Sequence, residues 1–519
     1  MSFESAHSQP GHAGPHSLDG TSDHASPPSN EPLCVDLDGT LVKSDTLLDT
    51  VLALARQSPR SLLQFPRWIA QGKAAFKRNI SSVAALDVAH LPYNQPLLEY
   101  LRQQHAAGRE IYLATGADHL LAERVAEHLG IFSGVLASDG SLNLTGGNKL
   151  AAFQQRFPAG FSYIGNARPD LPLLTHSVHP MVANPQRGLR AALRSTAVQP
   201  TRTFTDKASP LKAWMRAIRL HQWAKNTLIF LPLLLAHVRA VGPVVAAFLA
   251  FLSFGLAASA TYIFNDLLDL EADRHHPRKC SRPFAAGDLS PITGAATILL
   301  FLALSLALAL LLPRVLTAFS PQFPWNGQGR FIEWLVLYAI STIVYSLRLK
   351  RMILVDVMVL ACLYTIRILA GSAASGVKVS PWLGAFSIFF FLSLAFVKRF
   401  SELENMSLRS EAPEALAVKG RGYRVSDLEQ LRSFGTASGY ASVVIFALYI
   451  GNEVAQNLYP HHSRLWLLVP VLLLWLSRLW LKASRGELEE DPVVYAITDP
   501  RSLQLGLVVV AIVLSALLR

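Results

Sequence analysis

The sequence predicts a multidomain protein: an α/β doubly wound domain followed by an all-α membrane bundle of about nine transmembrane helices. Short apolar strands alternate with helical patterns before residue 195, and long apolar runs recur after residue 210. Hydrophobic residues make up 51% of the 519 residues, and the mean hydropathy is +0.31, which is too apolar for an ordinary soluble protein. We therefore expect four segments: a disordered tail (1–30), an α/β domain (31–195), a linker (196–210) and a membrane domain (211–519).

Composition and charge exclude several classes of function. The net charge of +11 is typical of basic cytoplasmic loops in a membrane protein, and no basic helix suited to reading bases is visible, so we expect no nucleic-acid partner. Three cysteines, Cys34, Cys280 and Cys362, lie too far apart to suggest a disulfide framework or a metal site. Residues 1–30 are rich in Ser, His, Gly and Pro and lack the apolar core of a signal peptide, so we expect a tail.

Three polar turns stand at the ends of predicted strands in the α/β domain, in "PLCVDLDGTLV", "GREIYLATGA" and "FSYIGNARPD". In a doubly wound sheet, ligands bind beyond the carboxyl ends of the strands, so these turns predict one site. Residues 44–95 are predicted to form a helical cap over that site, and their apolar face could instead rest on the bilayer.

The stretch "DLDGT", with a later Thr, Lys and acidic loop, resembles the haloacid dehalogenase superfamily of phosphohydrolases over residues 31–195. The resemblance implies a nucleophile at Asp36, an acid/base at Asp38 and phosphoryl-oxygen ligands at Thr115 and Lys149. It also implies Mg²⁺ held by Asp36, the Asp38 carbonyl and Asp170. Asn166 stands where the superfamily usually has an acidic residue, which predicts weaker metal affinity. The alternative is a catalytically inactive regulatory or docking module.

Nine apolar runs of the membrane domain are long enough to cross a bilayer. Lys and Arg are concentrated in the connections after the second, fourth, sixth and eighth runs, which predicts that these connections and the first domain are cytoplasmic, in an inner (cytoplasmic) membrane. The runs are at about 219–238, 242–264, 291–312, 331–347, 353–373, 382–400, 436–452, 464–482 and 503–518.

An acidic motif, "NDLLDLEADRHHPRKCSRP", follows the second run. Asn265, Asp269 and Asp273 share one face if the helix continues, and Asp266 lies one residue round. Several oxygens on one face repel each other unless they surround a divalent cation, most simply Mg²⁺ carrying a diphosphate. The alternative is a solvated juxtamembrane loop. Basic residues that suit an anionic substrate follow at once: Arg274, Arg278, Lys279 and Arg282.

A second polar group opens the fifth run, "YSLRLKRMILVDVMVLACLYTIRILAG". Asp356 and Arg367 are eleven residues apart, which places them on nearly the same helix face. Arg367 is in mid-span and needs a partner or a polar cavity, and Lys350 and Arg351 lie at the cytoplasmic mouth. The alternative is snorkelling and a structural ion pair between Asp356 and Arg367.

These two motifs resemble the UbiA superfamily of intramembrane prenyltransferases, over residues 211–519. The resemblance implies a helical bundle of nine crossings whose aspartate-rich loops bind Mg²⁺ and diphosphate, with Asn265, Asp266, Asp269 and Asp273 in the first motif and Asp356 in the second. Leu360 and Tyr364 follow Asp356 at the spacing where these enzymes commonly carry further aspartates, so a second metal ion is in question.

The branch that the sequence is most similar to is that of the polyprenyl-phosphate phosphoribosyltransferases, through "RLHQWAKNTLIFLPLLLA", "RILAGSAA", "KRFSEL", "GRGY" and "DPVVYAITD". This resemblance implies phosphoribosyl pyrophosphate as donor and decaprenyl phosphate as acceptor. The substrate-binding candidates of the membrane domain are Lys225, Asn226, Lys279, Arg282, Lys350 and Arg367, with Lys398 and Arg399 as further phosphate ligands.

The resulting hypothesis is Mg²⁺-dependent transfer of 5-phosphoribosyl from phosphoribosyl pyrophosphate to a polyprenyl phosphate in cell envelope biosynthesis. The first domain would then dephosphorylate the product. The alternatives are an aromatic prenyltransferase that uses a prenyl diphosphate and a membrane module that binds or transports lipid. The expected partners are the bilayer, the two substrates and a second copy of the chain.

Overall fold

The computed structural model describes residues 31–84, 86–139, 144–196, 198–319, 330–408, 422–488 and 491–518. The predicted tail, 1–30, lies outside them. The described chain forms two compact units. The first comprises residues 31–41, Arg67–Ser82 and Tyr93–Asp206, and the second comprises Val42–Pro66, Val83–Pro92 and the described residues from Lys207 onward.

A parallel sheet of six strands, in the order β3-β2-β1-β4-β5-β6, forms the centre of the first unit. The central strand pairs with neighbours on both sides, with Leu33 opposite Ile111 and Ser162. This architecture confirms the predicted α/β doubly wound fold. The strands are β1 (Leu33–Val35), β2 (Ile111–Asp118), β3 (Gly134–Ser138), β4 (Ser162–Gly165), β5 (Pro180–Ala183) and β6 (Arg202–Phe204).

Strand β1 is apolar throughout, and all three of its residues are buried, as expected for a parallel strand that is covered on both faces. Cys34 packs in a core with Phe153, Tyr163 and Leu174. The strand order reverses at β1, since β2 and β4 flank it, and ligands of such sheets bind at this switch point. The residues that follow β1 and β4 therefore hold the position of a binding site.

The α-helices of the chain, in order, are α1 (Thr46–Gln57), α2 (Phe65–Ala70), α3 (Lys73–Val83), α4 (Gln95–Ala106), α5 (His119–Leu129), α6 (Gly147–Arg156), α7 (Leu171–His176), α8 (Arg187–Thr196), α9 (Pro210–Ile218), α10 (Leu231–Leu235), α11 (Val241–Leu268), α12 (Leu270–Arg274), α13 (Pro291–Phe319), α14 (Arg330–Leu347), α15 (Val355–Ser375), α16 (Pro381–Ser407), α17 (Leu428–Ile450), α18 (Glu453–Leu458), α19 (Leu468–Ser484), α20 (Pro492–Thr498) and α21 (Pro500–Leu517). Short 3-10 helices connect several of them and include Val88–His90, Leu220–Phe230, Lys279–Ser281 and Leu349–Arg351.

Eight helices among the described residues are long and apolar enough to cross a membrane, which confirms a helical membrane bundle. They are Val241–Leu268, Pro291–Phe319, Arg330–Leu347, Val355–Ser375, Pro381–Ser407, Val425–Ile450, His462–Ser484 and Pro500–Leu517.

The first predicted span, at about 219–238, is not one continuous α-helix. Arg219 has a positive φ of 55° and ends α9, and the chain continues as the 3-10 helix Leu220–Phe230 and the short α10. The segment packs closely on two glycines: a Cβ at Gly255 would lie 2.7 Å from the ring of Trp223, and one at Gly371 would lie 2.1 Å from the carbonyl oxygen of Ile229. Glycines allow such approach between helices in a membrane.

The predicted cap, 44–95, is divided between the two units. Val42–Pro66, which contains α1, and Val83–Pro92 cluster with the membrane helices. A buried ion pair joins α1 to the membrane unit, because Arg274 donates to Oδ2 of Asp49 at 2.9 Å and Ser44 donates to the same oxygen at 2.6 Å. These two segments are therefore structural parts of the second unit.

Candidate functional site

The acidic motif of the second unit begins in the last turn of α11. The helix ends at Leu268, but the hydrogen bonds from the N–H of Asp269 to Asn265 and from the N–H of Asp273 to Asp269 keep the helical spacing, at 2.9 and 2.7 Å. Asp266 and Asp273 are buried, whereas Asn265 and Asp269 are half-buried. The backbone therefore keeps the four candidate metal ligands of the motif at nearly the spacing of a continuous helix.

Three basic side chains from separate segments reach this motif. Arg219 lies 2.5 Å from Oδ1 of Asp266, and Lys350 lies 3.1 Å from Oδ2 of Asp269. Arg282 bridges two carboxylates, at 3.2 Å from Asp266 and 2.6 Å from Asp273. The structure thus brings Arg282 and Lys350 of the sequence prediction together at the acidic motif. Arg219 was missed, although it opens the quoted stretch "RLHQWAKN".

The donor set of the motif suits Mg²⁺. Mg²⁺ prefers carboxylate and amide oxygens, and among the described residues each of the three aspartates uses only one oxygen in its ion pairs. Burial raises the pKa of the Asp273 carboxyl, and the cation of Arg282 offsets this rise only in part. A divalent cation would favour the ionised form of that carboxylate. Asn265, Asp266, Asp269 and Asp273 therefore fit a metal site, with Arg219, Arg282 and Lys350 as ligands for an anion.

Arg274 and Lys279, two other basic residues of the motif, differ in their surroundings. Arg274 is committed to Asp49. Lys279 is exposed in the 3-10 helix Lys279–Ser281, and its positive charge acts on the carboxyl of Asp273. Lys279 therefore lies close enough to influence the motif, and its role as a substrate ligand stays a prediction.

Asp356, which opens α15, is completely buried and has protein donors at both oxygens. Arg399 donates to Oδ2 at 2.5 Å, and the Tyr423 hydroxyl donates to Oδ1. The other guanidinium nitrogens of Arg399 contact Glu402 and Tyr345 at 2.8 and 2.9 Å. This network favours a structural role for Asp356, and its assignment as a metal ligand stays a prediction.

Arg367, in the middle of α15, pairs with different groups from those the sequence suggests. Its Nε donates to Oδ1 of Asn226 at 2.8 Å, and its Nη2 donates to the hydroxyl of Tyr338 at 3.1 Å. The ion pair with Asp356, which was the alternative interpretation, does not form between these two described residues, because eleven residues of α-helix separate them by about 16 Å along the axis. A shared face is not sufficient for contact.

Asn226 is 1% exposed, and its amide nitrogen has no hydrogen-bond partner among the described residues. Its oxygen is fixed by Arg367, so the nitrogen is the free donor. A buried polar atom without a partner costs about 1–3 kcal/mol, and the role of this N–H₂ group in substrate binding stays a prediction.

A third group of charges centres on Asp491, which caps α20. Lys225 and Lys398 both donate to its Oδ2, at 2.9 and 2.8 Å. Burial alone would raise the pKa of the Asp491 carboxyl, but the two ammonium groups outweigh it and hold the pKa well below its usual range. Asp491 therefore aligns the two lysines that the sequence suggests as phosphate ligands. Its own role was missed, although it opens the quoted "DPVVYAITD".

The site of the first unit lies at the switch point of the sheet. Asp36 directly follows β1, and its Oδ1 accepts a hydrogen bond from Lys149 at 2.8 Å. Lys149 also donates to the hydroxyl of Tyr163, which donates to Oδ1 of Asp170. Burial raises the pKa of the Asp36 carboxyl to about 6, although Lys149 acts to lower it. The structure thus links Asp36, Lys149 and Asp170 in one chain of contacts.

The remaining predicted residues of the first unit surround this chain. Thr115 is fully buried, and its hydroxyl oxygen accepts the N–H of Ala117 at 3.0 Å. Asp38 is half-buried in the turn after β1. Gly39 has a φ of +74°, and a Cβ there would lie 2.0 Å from the amide nitrogen of Asn166, so Asn166 packs directly on the first motif. The carboxylates of Asp36 and Asp170, which are linked through Lys149 and Tyr163, are ligands of the kind that suits a hard cation such as Mg²⁺.

Comparisons with known proteins bear mainly on the second unit. The UbiA prenyltransferase family matches residues 227–496. The chain is 38% identical to the uncharacterized protein y4nM of Sinorhizobium fredii, over 92% of this chain and 89% of that one. It is 34% identical to the decaprenyl-phosphate phosphoribosyltransferase of Mycobacterium tuberculosis, over 47% of this chain and 78% of the relative.

Two solved structures are similar to parts of the chain. A UbiA homolog from Archaeoglobus fulgidus bound to DMAPP and Mg²⁺ is 17% identical with a TM-score of 0.42, over 59% of this chain and 98% of that chain. A hydrolase of the haloacid dehalogenase (HAD) family from Salmonella enterica is 14% identical with a TM-score of 0.23, over 32% and 66% of the two chains. On the family match and the two sequence relatives, the chain belongs to the UbiA prenyltransferase family.

Proposed function

We propose that the protein transfers a 5-phosphoribosyl group from phosphoribosyl pyrophosphate to a polyprenyl phosphate of the decaprenyl type. The observation that carries this proposal is the acidic motif with three cations bound to it, Arg219, Arg282 and Lys350. A donor with a diphosphate leaving group needs both features. The 34% identity to a decaprenyl-phosphate phosphoribosyltransferase supports the choice of substrates.

In this proposal the acidic and the basic residues at the motif have different roles. Asn265, Asp266, Asp269 and Asp273 would hold Mg²⁺, which when bound neutralises charge on the diphosphate. The three cations would give up some of their contacts with the carboxylates. They would then bind the diphosphate oxygens that do not coordinate the metal; these cations are Arg219, Arg282 and Lys350. Guanidinium groups suit this purpose because they bind phosphate with two parallel hydrogen bonds.

The transfer itself exchanges one bond at C1 of the ribose. An oxygen of the lipid phosphate forms a bond to C1, and the bond from C1 to the diphosphate breaks with its electron pair leaving on the diphosphate. A phosphate monoester is largely dianionic near neutral pH, with a second pKa of about 6, so the attacking oxygen needs no general base. The protein contributes alignment and stabilisation of the departing charge.

The two lysines that donate to Asp491 are suited to bind the phosphate of the lipid acceptor. Lys225 and Lys398 converge on one carboxylate oxygen, so a phosphate that displaces this carboxylate would meet two aligned ammonium groups. The unpaired N–H₂ of Asn226 lies in the neighbouring position along the chain. We assign these three residues to the acceptor.

We further propose that the first unit hydrolyses the 5-phosphate of the transfer product. Asp36 would attack phosphorus, and the ester oxygen would leave with a proton from Asp38. Asp38 would then take a proton from a water molecule that attacks the aspartyl phosphate, which releases inorganic phosphate and restores the Asp36 carboxylate. Lys149 and Thr115 would bind phosphoryl oxygens, and Asp36, Asp38 and Asp170 would hold Mg²⁺. We propose that both sites face the cytoplasm at the inner membrane, so that a product of one site reaches the other without crossing the bilayer.

Purified full-length protein incubated with decaprenyl phosphate, Mg²⁺ and phosphoribosyl pyrophosphate labelled in the ribose tests the proposal. Mass spectrometry should find a lipid-linked ribose, and chelation of the metal should stop its formation reversibly. Absence of any labelled lipid would contradict the transfer proposal. Formation of a prenylated aromatic product from a prenyl diphosphate would instead support the second candidate function that the family allows.

A further inference from the structure

Two imidazole rings and one carboxylate meet on the surface of the second unit. Asp87 caps the 3-10 helix Val88–His90, whose last residue is His90, and His275 follows α12. The Nδ1 of His90 and the Nε2 of His275 lie 2.8 and 2.6 Å from the same oxygen of Asp87, Oδ2. One ligand atom from each of the three residues lies within 4.8 Å of the others. Two segments far apart in sequence thus direct three metal-ligating groups at one point.

Both ring nitrogens of His275 face hydrogen-bond acceptors. Its Nδ1 lies 2.8 Å from the carbonyl oxygen of Glu271, and its Nε2 faces the carboxylate of Asp87. Both neighbours are acceptors, but a neutral imidazole carries one proton and can donate to only one of them. An imidazolium donates to both acceptors. In the neutral ring with its proton on Nδ1, the lone pair of Nε2 faces the Asp87 carboxylate, and a metal cation between them would bind both.

The outer contacts of the cluster match those of known metal ligands. Histidines that bind metals usually donate the other ring N–H to a backbone carbonyl or a carboxylate, as His275 does to Glu271. The second oxygen of Asp87, Oδ1, accepts the N–H of Ala89 at 3.0 Å and so orients the carboxylate. The rings of His90 and His275 stack with centroids 4.0 Å apart. Since both rings are exposed, an ion can enter from solvent.

We propose that Asp87, His90 and His275 bind a divalent transition-metal ion of the Zn²⁺ class. Two imidazole nitrogens and one carboxylate oxygen suit Zn²⁺, and water would complete a tetrahedral site. Ligand distances near 2.0–2.1 Å require the nitrogens to lie about 3.4 Å from the oxygen, which is a small movement for exposed rings. The ion joins Val83–Pro92 to the residue that follows α12, within the second unit.

The site differs in chemistry from the acidic motif, and this difference makes it testable. Zinc binding is measured on the purified full chain in excess Mg²⁺, which occupies oxygen-rich sites. The four histidines of the tail, His7, His12, His16 and His24, are replaced by Gln to remove competing ligands. We expect one Zn²⁺ per chain by calorimetry, a rise in unfolding temperature, and visible absorption bands when Co²⁺ replaces Zn²⁺.

His90→Gln and His275→Gln should each lower the Zn²⁺ affinity more than tenfold. The matched control is His119→Gln in the first unit, an exposed histidine that pairs with Glu123 at 2.9 Å outside the three-ligand cluster; it should bind Zn²⁺ like the parent. Since His275 adjoins the acidic motif, His90→Gln and Asp87→Ala provide the decisive comparison. Unchanged Zn²⁺ affinity in both, or no binding by the parent, overturns the proposal and leaves a hydrogen-bonded imidazole–carboxylate cluster.

Discussion

Arg399 donates a hydrogen bond from Nε to Oδ2 of Asp356 at 2.5 Å, and both side chains are almost entirely buried, at 2% and 0% exposed. The pair joins α15 to α16 inside the membrane unit. Charges in such surroundings are stable only as a pair, because removal of one partner leaves the other without compensation. The pair therefore serves to hold two helices of the bundle together.

Asp356→Asn should lower the stability of the protein by about 3–5 kcal/mol, the usual cost of breaking a buried ion pair from one side. The measurement is thermal unfolding in detergent. Glu402→Gln is the matched control, since Glu402 contacts the same arginine but is 35% exposed, and it should change stability by less than about 1 kcal/mol. A stable Asp356→Asn variant that needs far more Mg²⁺ for transfer would instead support the metal-ligand assignment.

Asp269→Asn and Asp273→Asn should each reduce lipid product more than about 100-fold while leaving the unfolding temperature close to that of the parent. Each change keeps the side-chain volume but removes the charge that would hold Mg²⁺. Product is measured from labelled phosphoribosyl pyrophosphate. Glu271→Gln lies between them in α12 and serves as the control, with near-normal turnover expected. Near-normal turnover in both aspartate variants would contradict the metal assignment.

Asn226→Asp should reduce transfer at least tenfold without lowering stability. The change preserves the oxygen that accepts from Arg367 and removes the buried N–H₂ donor. Arg367→Leu, by contrast, should lower both stability and turnover, because it leaves Asn226 and Tyr338 without their donor. Steady-state rates and thermal unfolding of the two variants separate the roles. Full activity of Asn226→Asp would remove Asn226 from the substrate-binding group.

Asp36→Asn should leave transfer intact and accumulate lipid-linked ribose 5-phosphate, whereas the parent makes lipid-linked ribose. The change removes the proposed nucleophile of the first unit, which is also one of its proposed Mg²⁺ ligands, and leaves the acidic motif of the second unit unchanged. Mass spectrometry distinguishes the two products by one phosphate group. Glu123→Gln, an exposed carboxylate of the same unit, should behave as the parent. Identical products from Asp36→Asn and the parent would show that the first unit does not act on this lipid.

Phosphate hydrolysis by the first unit should fall as the pH drops below about 6 when Mg²⁺ is limiting. Burial raises the pKa of Asp36 to about 6, and only the ionised carboxylate is a nucleophile, so the rate should fall tenfold per pH unit well below that value. Saturating Mg²⁺ should move this decline to lower pH, because a cation favours the charged form. An acid limb that does not move with Mg²⁺ would assign the titration to another group.

Patterns of apolar residues were sufficient to predict both units. Buried strand residues such as Leu33 and Val35 and the long runs of α11 and α13 form elements by local composition alone. The acidic motif was also visible, because Asn265, Asp269 and Asp273 are close in sequence and their relation depends only on helix geometry. These features are local, and local features can be read from one sequence.

Partners brought together by packing could not be read in the same way. Arg399 reaches Asp356 across 43 residues, and Lys225 reaches Asp491 across 266. The spacing of eleven residues suggested Arg367 as an alternative partner of Asp356. This spacing gives the angle between two side chains around the helix axis but not their distance along it. Within the second unit, Asp49 of the predicted cap likewise contacts Arg274, which is 225 residues away. Neither residue type nor spacing signals that pair.

The broken first segment bears on the number of membrane passes. Its 3-10 helix of 11 residues rises about 22 Å at 2.0 Å per residue, and the 5 residues of α10 add about 7 Å. Placed end to end, these 16 residues match the roughly 30 Å of a bilayer's hydrocarbon core, for which an α-helix needs about 20. With the eight long helices found among the described residues, this segment would bring the passes of those residues to an odd number, which puts the first and last of them on opposite faces. The tighter winding of this short segment would thus decide whether the number of membrane passes is odd or even.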